Sequence, residues 1–325
     1  MRSCPRVCRM NRESTQMTTA DATSAAPGGI AMLAGRPVAR IGFGAIQLAA
    51  TRPGRSAPDR QAAIAILRAA IAQGVNHIDT AQFYGPGTCN ELIRDALGPY
   101  PPDLVLVSKV GAEHDGQRSP IPVRPAQRPE ELRASVEANL TTLGIERLDV
   151  VNLRRLDAPP GLSAEGDQIV DLDSQLTELI ALRDEGKIGG IGLSNVSTGQ
   201  LRQALPAGIA CVQNAYSVLD RSSEPVFGLC QEHDLAWVPF FPLGSGGFPG
   251  VASVTEHPAV IAAATSAGAT PAQVGLAWLL ARYPHTLLIP GTASLAHLAE
   301  NIAASSIRLD PRTMSALDRV TAVSD

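Results

Sequence analysis

Short apolar segments alternate with segments of helical pattern along most of this 325-residue chain. The helical segments carry apolar residues at three- and four-residue spacing, and residues 59–73 are followed by Gly74, which is typical of a helix end. The other segments are apolar along their whole length, as strands are when both faces of a sheet are covered. The sequence therefore predicts eight strands, at residues 40–44, 75–79, 104–110, 148–153, 186–193, 209–213, 235–241 and 286–291.

The number and order of these segments predict the fold. Eight βα units in about 250 residues are typical of a TIM barrel. The alternative, a doubly wound sheet, usually carries a phosphate-binding turn with three glycines after its first strand. The turn at residues 42–47 (GFGAIQ) has only two. We therefore predict an α/β protein: a (β/α)8 TIM barrel, residues 30–325, as a single domain that opens with a β-hairpin around Gly35.

The first 29 residues differ in composition from the rest of the chain. They are rich in Ser, Thr, Ala and Arg and show no hydrophobic periodicity, so we predict a disordered tail at residues 1–29. No apolar region follows the arginines of this tail, which argues against a secretory signal. The sequence leaves open whether translation starts at Met1 or at Met17.

Composition and charge exclude several classes of function. Lys and Arg number 27 against 31 Asp and Glu, which gives a net charge of −4, whereas nucleic-acid binding needs a basic excess or stripe. No run of 18 apolar residues is present, so no membrane span is expected. The five cysteines form no C-x-x-C motif and are odd in number. We therefore predict reduced thiols in the cytoplasm, with neither a disulfide framework nor a metal site.

Three polar residues follow or lie in neighbouring predicted strands. Functional residues of a TIM barrel lie where strands end, which brings together Asp79, Tyr84 and Lys109. Lys109 lies in an apolar strand and needs a partner, for which Asp79 is the nearest candidate. A nearby ammonium group lowers the pKa of a phenol, so we predict that Tyr84 donates a proton to a developing alkoxide. Such a donor suits carbonyl reduction, in which a nicotinamide cofactor supplies the hydride.

Six motifs, in the order and spacing of a barrel, resemble the aldo-keto reductase superfamily from about residue 40 to about residue 320. They are HIDTAQFYG (77–85), VSK (107–109), GIGLSN (190–195), VQNAYS (212–217), VPFFPLG (238–244) and IPGTASLAHLAEN (289–301). The combination of GVNHIDT, LDVVNLR, GLSNV, CVQN and VPFFPLG is most similar to the bacterial pyridoxal reductase subgroup. The resemblance implies that the chain uses NADPH to reduce the aldehyde of pyridoxal to the alcohol pyridoxine.

The same resemblance implies a role for each site residue. Tyr84 would be the general acid, Lys109 would tune it, and Asp79 would pair with Lys109. Across the mouth of the barrel, the nicotinamide carboxamide would contact Ser194, Asn195 and Gln213, and the nicotinamide ring would stack on Phe240. The pyrophosphate would contact Leu243 and Ser245, the adenosine phosphate Gly291, Thr292 and Ser294, and the adenine Glu300 and Asn301. The remaining expected cofactor-site residues are Gly44, Ala45, Ile46, Asp79, Pro242, Gly244, Pro290 and His297.

One departure from the family pattern lies at Arg154, where most members have histidine. Arginine is permanently charged, so it cannot act as a neutral donor with a tunable pKa. Pyridoxal carries an acidic hydroxyl beside its aldehyde, and we hypothesise that Arg154 is catalytic by pairing with that phenolate. A structural salt bridge would explain Arg154 equally well. Arg155 is the neighbouring alternative, but strand alternation predicts that it points the other way.

A second departure lies at the site for the cofactor's 2′-phosphate. Many members carry Lys and Arg there, whereas this chain has Gly291 and His297. Histidine contributes less charge at neutral pH. We still predict NADPH as the cofactor, with contacts from the hydroxyls of Thr292 and Ser294, and NADH as the alternative.

Other functions remain open at this stage. The substrate could be another small aldehyde or ketone, as in a broad-specificity reductase. A nicotinamide-binding regulatory protein with little turnover is a second alternative, which the replacement at Arg154 keeps open. A third is an aldolase that uses Lys109 as a Schiff base. The sequence also leaves open whether the protein is a monomer or a dimer.

Overall fold

The structure, a computed structural model, describes residues 26–49, 57–118, 122–157, 162–244 and 252–320. Within them the strands are β1 (Ile30–Leu33), β2 (Arg36–Ala39), β3 (Phe43–Gly44), β4 (His77–Asp79), β5 (Val105–Val110), β6 (Ala112–His114), β7 (Val123–Pro125), β8 (Leu148–Arg154), β9 (Ile188–Ser194), β10 (Ile209–Gln213) and β11 (Ala236–Trp237). The helices are α1 (Arg60–Ala72), α2 (Thr88–Leu97), α3 (Pro129–Leu143), α4 (Leu172–Asp184), α5 (Thr198–Ala204), α6 (Glu224–Glu232), α7 (Pro258–Ala267), α8 (Pro271–Arg282), α9 (Leu295–Ala303) and α10 (Pro311–Asp318).

Seven of these strands form one parallel sheet in the order β3, β4, β5, β8, β9, β10, β11. Residues 286–288 join its two edges, because the N–H of Leu287 donates to Trp237 O and the N–H of Leu288 donates to Arg40 O, both at 2.8 Å. Isolated parallel bridges lie at the same two edges. The sheet therefore closes into a ring, with residues 286–288 in the place of the eighth strand. The predicted TIM barrel is confirmed.

The strands on either side of this closure are shorter than the pattern predicts. β3 and β11 have two residues each, where the sequence indicates 40–44 and 235–241. Pro239 and Pro290 lie in the predicted seventh and eighth strands. Proline has no N–H group to donate to a neighbouring strand, so the regular hydrogen-bond ladder is interrupted at these positions.

The amino-terminal end of the barrel is covered by the hairpin of β1 and β2, which the sequence predicts. Its two-residue turn has positive φ at Ala34 (49°) and Gly35 (78°), as a type I′ turn requires. Residues 26–29, at the end of the predicted tail, form a turn that hydrogen-bonds to the backbone of residues 40–41. Residues 1–25 of that tail lie outside the described residues.

The helices pack on the outer face of the sheet, and several of them begin at side-chain caps. The carboxylate of Asp59 accepts the N–H groups of Gln61 and Ala62 at the start of α1. Ser197 and Gln200 form a capping box at the start of α5. No helix in the described part of the chain is long and apolar enough to cross a membrane.

Alternate strand side chains face the inside of the barrel, because side chains along a strand point to opposite faces. They form an apolar cluster with the hairpin of β1 and β2, separate from the helix-packed core. Its buried members are Ala31, Leu33, Val38, Val105, Val107, Val150, Cys211, Ala236, Val238 and Leu287. The next inward position along each strand lies above this cluster, at the carboxyl-terminal mouth. There the inward positions are mostly polar, and the candidate site lies among them.

Candidate active site

Asp79, Tyr84 and Lys109 come together at the mouth, as the sequence predicts. β4 and β5 are adjacent and parallel, and Asp79 lies opposite Val107. Lys109 is two residues after Val107 and faces the same side of the sheet, one step closer to the mouth. The Lys109 ammonium donates to Asp79 Oδ1 and, at 3.1 Å, to the carbonyl oxygen of Thr80. Lys109 Nζ lies 5.1 Å from the centre of the Tyr84 ring. Asp79 and Lys109 are only 4% and 5% exposed, so each charge depends on the other for compensation.

The electrostatics of Tyr84 differ from the sequence prediction. Burial raises the pKa of the Tyr84 phenol, and the Lys109 ammonium lowers it by less, so the pKa lies above its ordinary value. The Lys109 ammonium therefore acts in the predicted direction, but the predicted net lowering of the Tyr84 pKa is wrong because burial outweighs it. Burial would lower the pKa of Lys109, but Asp79 and Tyr84 outweigh it and the pKa is raised. The resting site thus holds a protonated phenol next to an ammonium group.

Arg154 and Arg155 point in opposite directions from the end of β8. Arg154 is half-buried at the mouth, with its guanidinium 5.6 Å from the centre of the Phe240 ring. Burial lowers the pKa of Arg154, and the neighbouring Tyr84 acts in the opposite direction. Arg155 forms a bidentate pair with Asp157 at 2.7 and 2.8 Å and also donates to Gln175. Arg154 is therefore the arginine that a substrate at the mouth can contact.

Two of the three residues expected at the nicotinamide carboxamide offer buried polar atoms for it. Ser194 Oγ and Gln213 Oε1 are buried and have no hydrogen-bond partner among the described residues. Gln213 Nε2 donates to Asp79 Oδ2 at 3.0 Å, which fixes the amide beside the Asp79–Lys109 pair. Asn195 differs, because its Nδ2 donates to the carbonyl oxygen of Arg155 at 3.2 Å. A carboxamide carries both a donor and an acceptor, and so fits the Ser194 and Gln213 atoms.

Gly44 and Gly291 have a structural reason to be glycine. A Cβ atom at Gly44 would overlap the carbonyl oxygen of Ile289, and one at Gly291 would overlap the carbonyl oxygen of Gly44. The two loops therefore approach backbone to backbone where the barrel closes. Ala45 is fully buried in the core and Ile46 is half-buried.

The segment after β11 reaches the mouth through Phe240. This ring is half-buried and packs edge-on against Phe241, with 5.1 Å between ring centres. Pro242, Leu243 and Gly244 follow it and are also partly exposed. Ser245, expected at the pyrophosphate, lies outside the described residues.

The segment expected at the adenosine phosphate forms the start of α9. Thr292 Oγ1 accepts the N–H of Ser294 at 3.0 Å, and Ser294 Oγ accepts the N–H of His297 at 3.4 Å. These hydroxyls shape the loop and cap the helix, whose N-terminus favours an anion. The exposure of the surrounding predicted residues varies: Pro290 and Asn301 are buried, Gly291 and Glu300 half-buried, and His297 exposed.

Cysteine and metal chemistry find no support in the described residues. Cys89, Cys211 and Cys230 are buried, and burial raises the pKa of each thiol to about 12. Thiols with so high a pKa are poor nucleophiles at neutral pH. No group of three or more His, Cys, Asp or Glu side chains in the described ranges could hold a metal ion.

Sequence reasoning missed two features near the site. The first is the hairpin of β6 and β7, which follows β5 on the side of the mouth. The second is a pair of fully buried amides, Asn90 on α2 and Asn139 on α3. Each lies on a helix face that is otherwise apolar, as at Leu132, Val136 and Leu143 around Asn139. A polar residue at an apolar helical position is the signal that could have identified them.

Comparison with known proteins gives a consistent result. The model of the Aldo/keto reductase family matches residues 40–322. Pyridoxine 4-dehydrogenase of Escherichia coli K12 is 45% identical over 289 residues, which is 88% of this chain and 96% of that protein.

Solved structures agree with this match. An aldo/keto reductase from Klebsiella pneumoniae in complex with NADP and acetate is 29% identical, with a TM-score of 0.70 over 87% of this chain and 91% of that one. A second Klebsiella pneumoniae structure, in complex with NADPH, is 28% identical with the same TM-score and coverage. The chain therefore belongs to the aldo/keto reductase family and is an oxidoreductase of that family.

Proposed function

We propose that this protein reduces aldehydes to alcohols with NADPH, and that pyridoxal is its favoured substrate. The observation that carries the proposal is the buried contact of Lys109 with Asp79 beside the protonated phenol of Tyr84. The Escherichia coli relative named for pyridoxine supports the substrate, since oxidation of pyridoxine at that position is the reverse of pyridoxal reduction. The Klebsiella pneumoniae complexes with NADP and NADPH support the cofactor.

In the proposed reaction the protein supplies a proton and holds the reactants in place. When bound, the nicotinamide cofactor would supply the hydride for this reduction. The Tyr84 phenol donates its proton to the carbonyl oxygen as negative charge develops there. The Lys109 ammonium stabilises the phenolate that remains, and Asp79 keeps Lys109 protonated and oriented. Ser194 and Gln213 would hold the nicotinamide carboxamide, which fixes the ring against this constellation.

The aldolase alternative is not favoured by the electrostatics of Lys109. A Schiff base forms from the neutral amine. The pKa of Lys109 is raised above its ordinary value, since Asp79 and Tyr84 outweigh the effect of burial. Lys109 is therefore an ammonium ion at neutral pH and serves better as a fixed charge than as a nucleophile.

We also propose that residues 30–325 fold as one domain. The ring of strands runs from β3 to the closing segment 286–288. Dividing the chain anywhere between these two segments would therefore open the sheet. The last helix, α10, is tied to the barrel because Arg221 donates to Leu317 O at 2.7 Å. Trp278 Nε1 also donates to Asp318 Oδ1 at 2.9 Å.

The proposed function is tested by following NADPH absorbance in the presence of the purified protein and pyridoxal. We expect NADPH consumption and formation of pyridoxine, with a lower kcat/KM for NADH and for small aldehydes unrelated to pyridoxal. A panel of aldehydes and ketones on the same protein separates the pyridoxal assignment from broad-specificity reduction. The absence of turnover with every carbonyl compound, despite NADPH binding, would favour a regulatory protein instead.

A separate prediction concerns Arg154. We expect Arg154→Met to lower kcat/KM for pyridoxal by about 10- to 100-fold, the loss typical of a hydrogen bond to a charged group. The matched control is benzaldehyde, which has no acidic hydroxyl beside the aldehyde, and its kcat/KM should change much less. Equal kcat/KM for pyridoxal in the variant and the unaltered protein would show that Arg154 does not pair with the phenolate.

A further inference from the structure

A buried polar network lies directly behind the proposed proton donor, with Asn90 at its centre. Asn90 Nδ2 faces three acceptors: Gln82 Oε1 at 2.9 Å, Asn139 Oδ1 at 2.9 Å and Thr142 Oγ1 at 3.0 Å. Asn90 Oδ1 accepts the hydroxyl of Thr80 at 2.8 Å. One amide on α2 therefore links four side chains from the loop after β4 and from α3.

Two arms of this network end next to the charged pair. Thr80 follows Asp79 in the chain, and its carbonyl oxygen accepts the Lys109 ammonium at 3.1 Å. Ser108 precedes Lys109 and donates to Asn139 Oδ1 at 2.6 Å. The network thus holds the backbone on both sides of the Asp79–Lys109 contact, from β4 and from β5.

The third arm holds the loop that carries the phenol. Gln82 lies two residues before Tyr84, and its Oε1 accepts from Asn90 Nδ2 and, at 2.8 Å, from the hydroxyl of Thr142. Tyr84 stands on this loop rather than on a strand, so the sheet alone does not fix its place relative to Lys109. The amide of Asn90 is the common partner of both segments.

Four members of the network are shielded from solvent, while Gln82 and Thr142 are half-buried. Thr80, Asn90, Ser108 and Asn139 are all fully buried. A buried network that is fully hydrogen-bonded is held more tightly than one in water, because solvent does not compete and each unpaired group carries a large penalty. The ends of the network lie close in sequence to all three site residues: Thr80 follows Asp79, Ser108 precedes Lys109, and Gln82 lies two residues before Tyr84.

We propose that Asn90 is a positioning residue, which fixes the distance between the Tyr84 phenol and the Lys109 ammonium through its hydrogen bonds to Thr80, Gln82 and Asn139. This inference rests on the proposed function, in which Tyr84 donates the proton. Asn90 touches neither substrate nor cofactor in this role. Its loss displaces the proton donor but leaves the cofactor-binding loops in place.

The test compares Asn90→Ala with Asn76→Ala in steady-state reduction of pyridoxal by NADPH. Asn76 is the control, because its half-buried amide also links separate segments by donating and accepting, here with the backbone of Pro37 and Ala39 at the opposite end of the barrel. We expect Asn90→Ala to lower kcat by roughly 10- to 100-fold, as a misplaced catalytic group does. NADPH affinity should stay unchanged, and the solvent deuterium isotope effect on kcat should rise because proton donation becomes slower. Asn76→Ala should alter neither kcat nor the isotope effect.

A milder variant keeps the test decisive if Asn90→Ala does not fold. Thr80→Val preserves shape and the carbonyl oxygen that accepts Lys109, but it removes the hydroxyl that binds Asn90. We expect a smaller fall in kcat, again with a higher solvent isotope effect and unchanged NADPH affinity. Unchanged kcat and isotope effect in Thr80→Val, or an Asn90→Ala variant that behaves like Asn76→Ala, would overturn the inference. Full activity of Tyr84→Phe would instead overturn the proposed function.

Discussion

Tyr84→Phe is expected to lower kcat for aldehyde reduction by about 10²- to 10⁴-fold, the usual contribution of a general acid. The variant keeps the ring and its edge-on packing against Phe83, where the ring centres are 5.2 Å apart. It loses only the hydroxyl that would protonate the carbonyl oxygen. NADPH affinity should therefore remain as in the unaltered protein. Steady-state kinetics and a titration of NADPH fluorescence measure the two quantities separately.

Tyr100→Phe is the matched control for this prediction. Tyr100 is half-buried, its hydroxyl donates to the carbonyl oxygen of Leu143 at 2.7 Å, and burial raises its pKa to about 12. It therefore shares a raised pKa and a removable hydroxyl with Tyr84, but it lies after α2, away from the mouth. Its replacement should leave kcat unchanged. If Tyr84→Phe retained full kcat, the phenol could not be the proton donor.

The barrel could be predicted because its signal is repeated along the chain. Each strand and helix pair carries its own periodicity, and eight such pairs in one order leave few alternatives. The closing segment 286–288 shows the limit of this reasoning. The length of a strand depends on the N–H and carbonyl groups that its neighbours offer, which an apolar segment of sequence does not show. Pro239 and Pro290 lack an N–H group and therefore interrupt the hydrogen bonds between the strands at the closure.

The contact between Lys109 and Asp79 could be predicted for a physical reason as well. A lysine in an apolar strand requires an opposite charge, and parallel neighbouring strands bring Asp79 to the same end as Lys109. The pKa of Tyr84 could not be predicted from residue types alone. Its direction depends on how much burial outweighs the Lys109 charge, and burial is a property of the folded loop. The role of the Ser294 hydroxyl could not be predicted either. It is expected at the adenosine phosphate, and in the folded loop it caps α9.

The Asn90 network links the three segments that carry Asp79, Tyr84 and Lys109. Sequence patterns assign Asn90 to a helix and Tyr84 to a loop, and no spacing rule connects them. The connection arises because Asn90 on α2 contacts Thr80, which follows β4, and Asn139 on α3, whose Oδ1 also accepts the hydroxyl of Ser108 on β5. In the role we propose for Asn90, the stability of this network and the position of the proposed proton donor depend on the same residues.

The second large effect is expected for Lys109→Met, which should lower both activity and stability. The Asp79 carboxylate would remain buried without its partner, and breaking a buried pair in this way typically costs about 3–5 kcal/mol in the free energy of unfolding. Activity should fall with it, because the ammonium group beside the Tyr84 ring, which would stabilise the phenolate, is then missing. Denaturant unfolding and steady-state kinetics at one pH measure the two losses.

The double variant Lys109→Met with Asp79→Asn separates these two effects. Both side chains are then neutral, so the uncompensated charge disappears, and Gln213 can still donate to residue 79 as it does to Asp79 at 3.0 Å. We expect the free energy of unfolding to recover most of what the single variant loses, while kcat stays low. Recovery of kcat along with stability would mean that Lys109 only holds the fold together. Stability restored without activity would assign the ammonium group to proton transfer, because the fold would then be intact and only the charge beside Tyr84 would be missing.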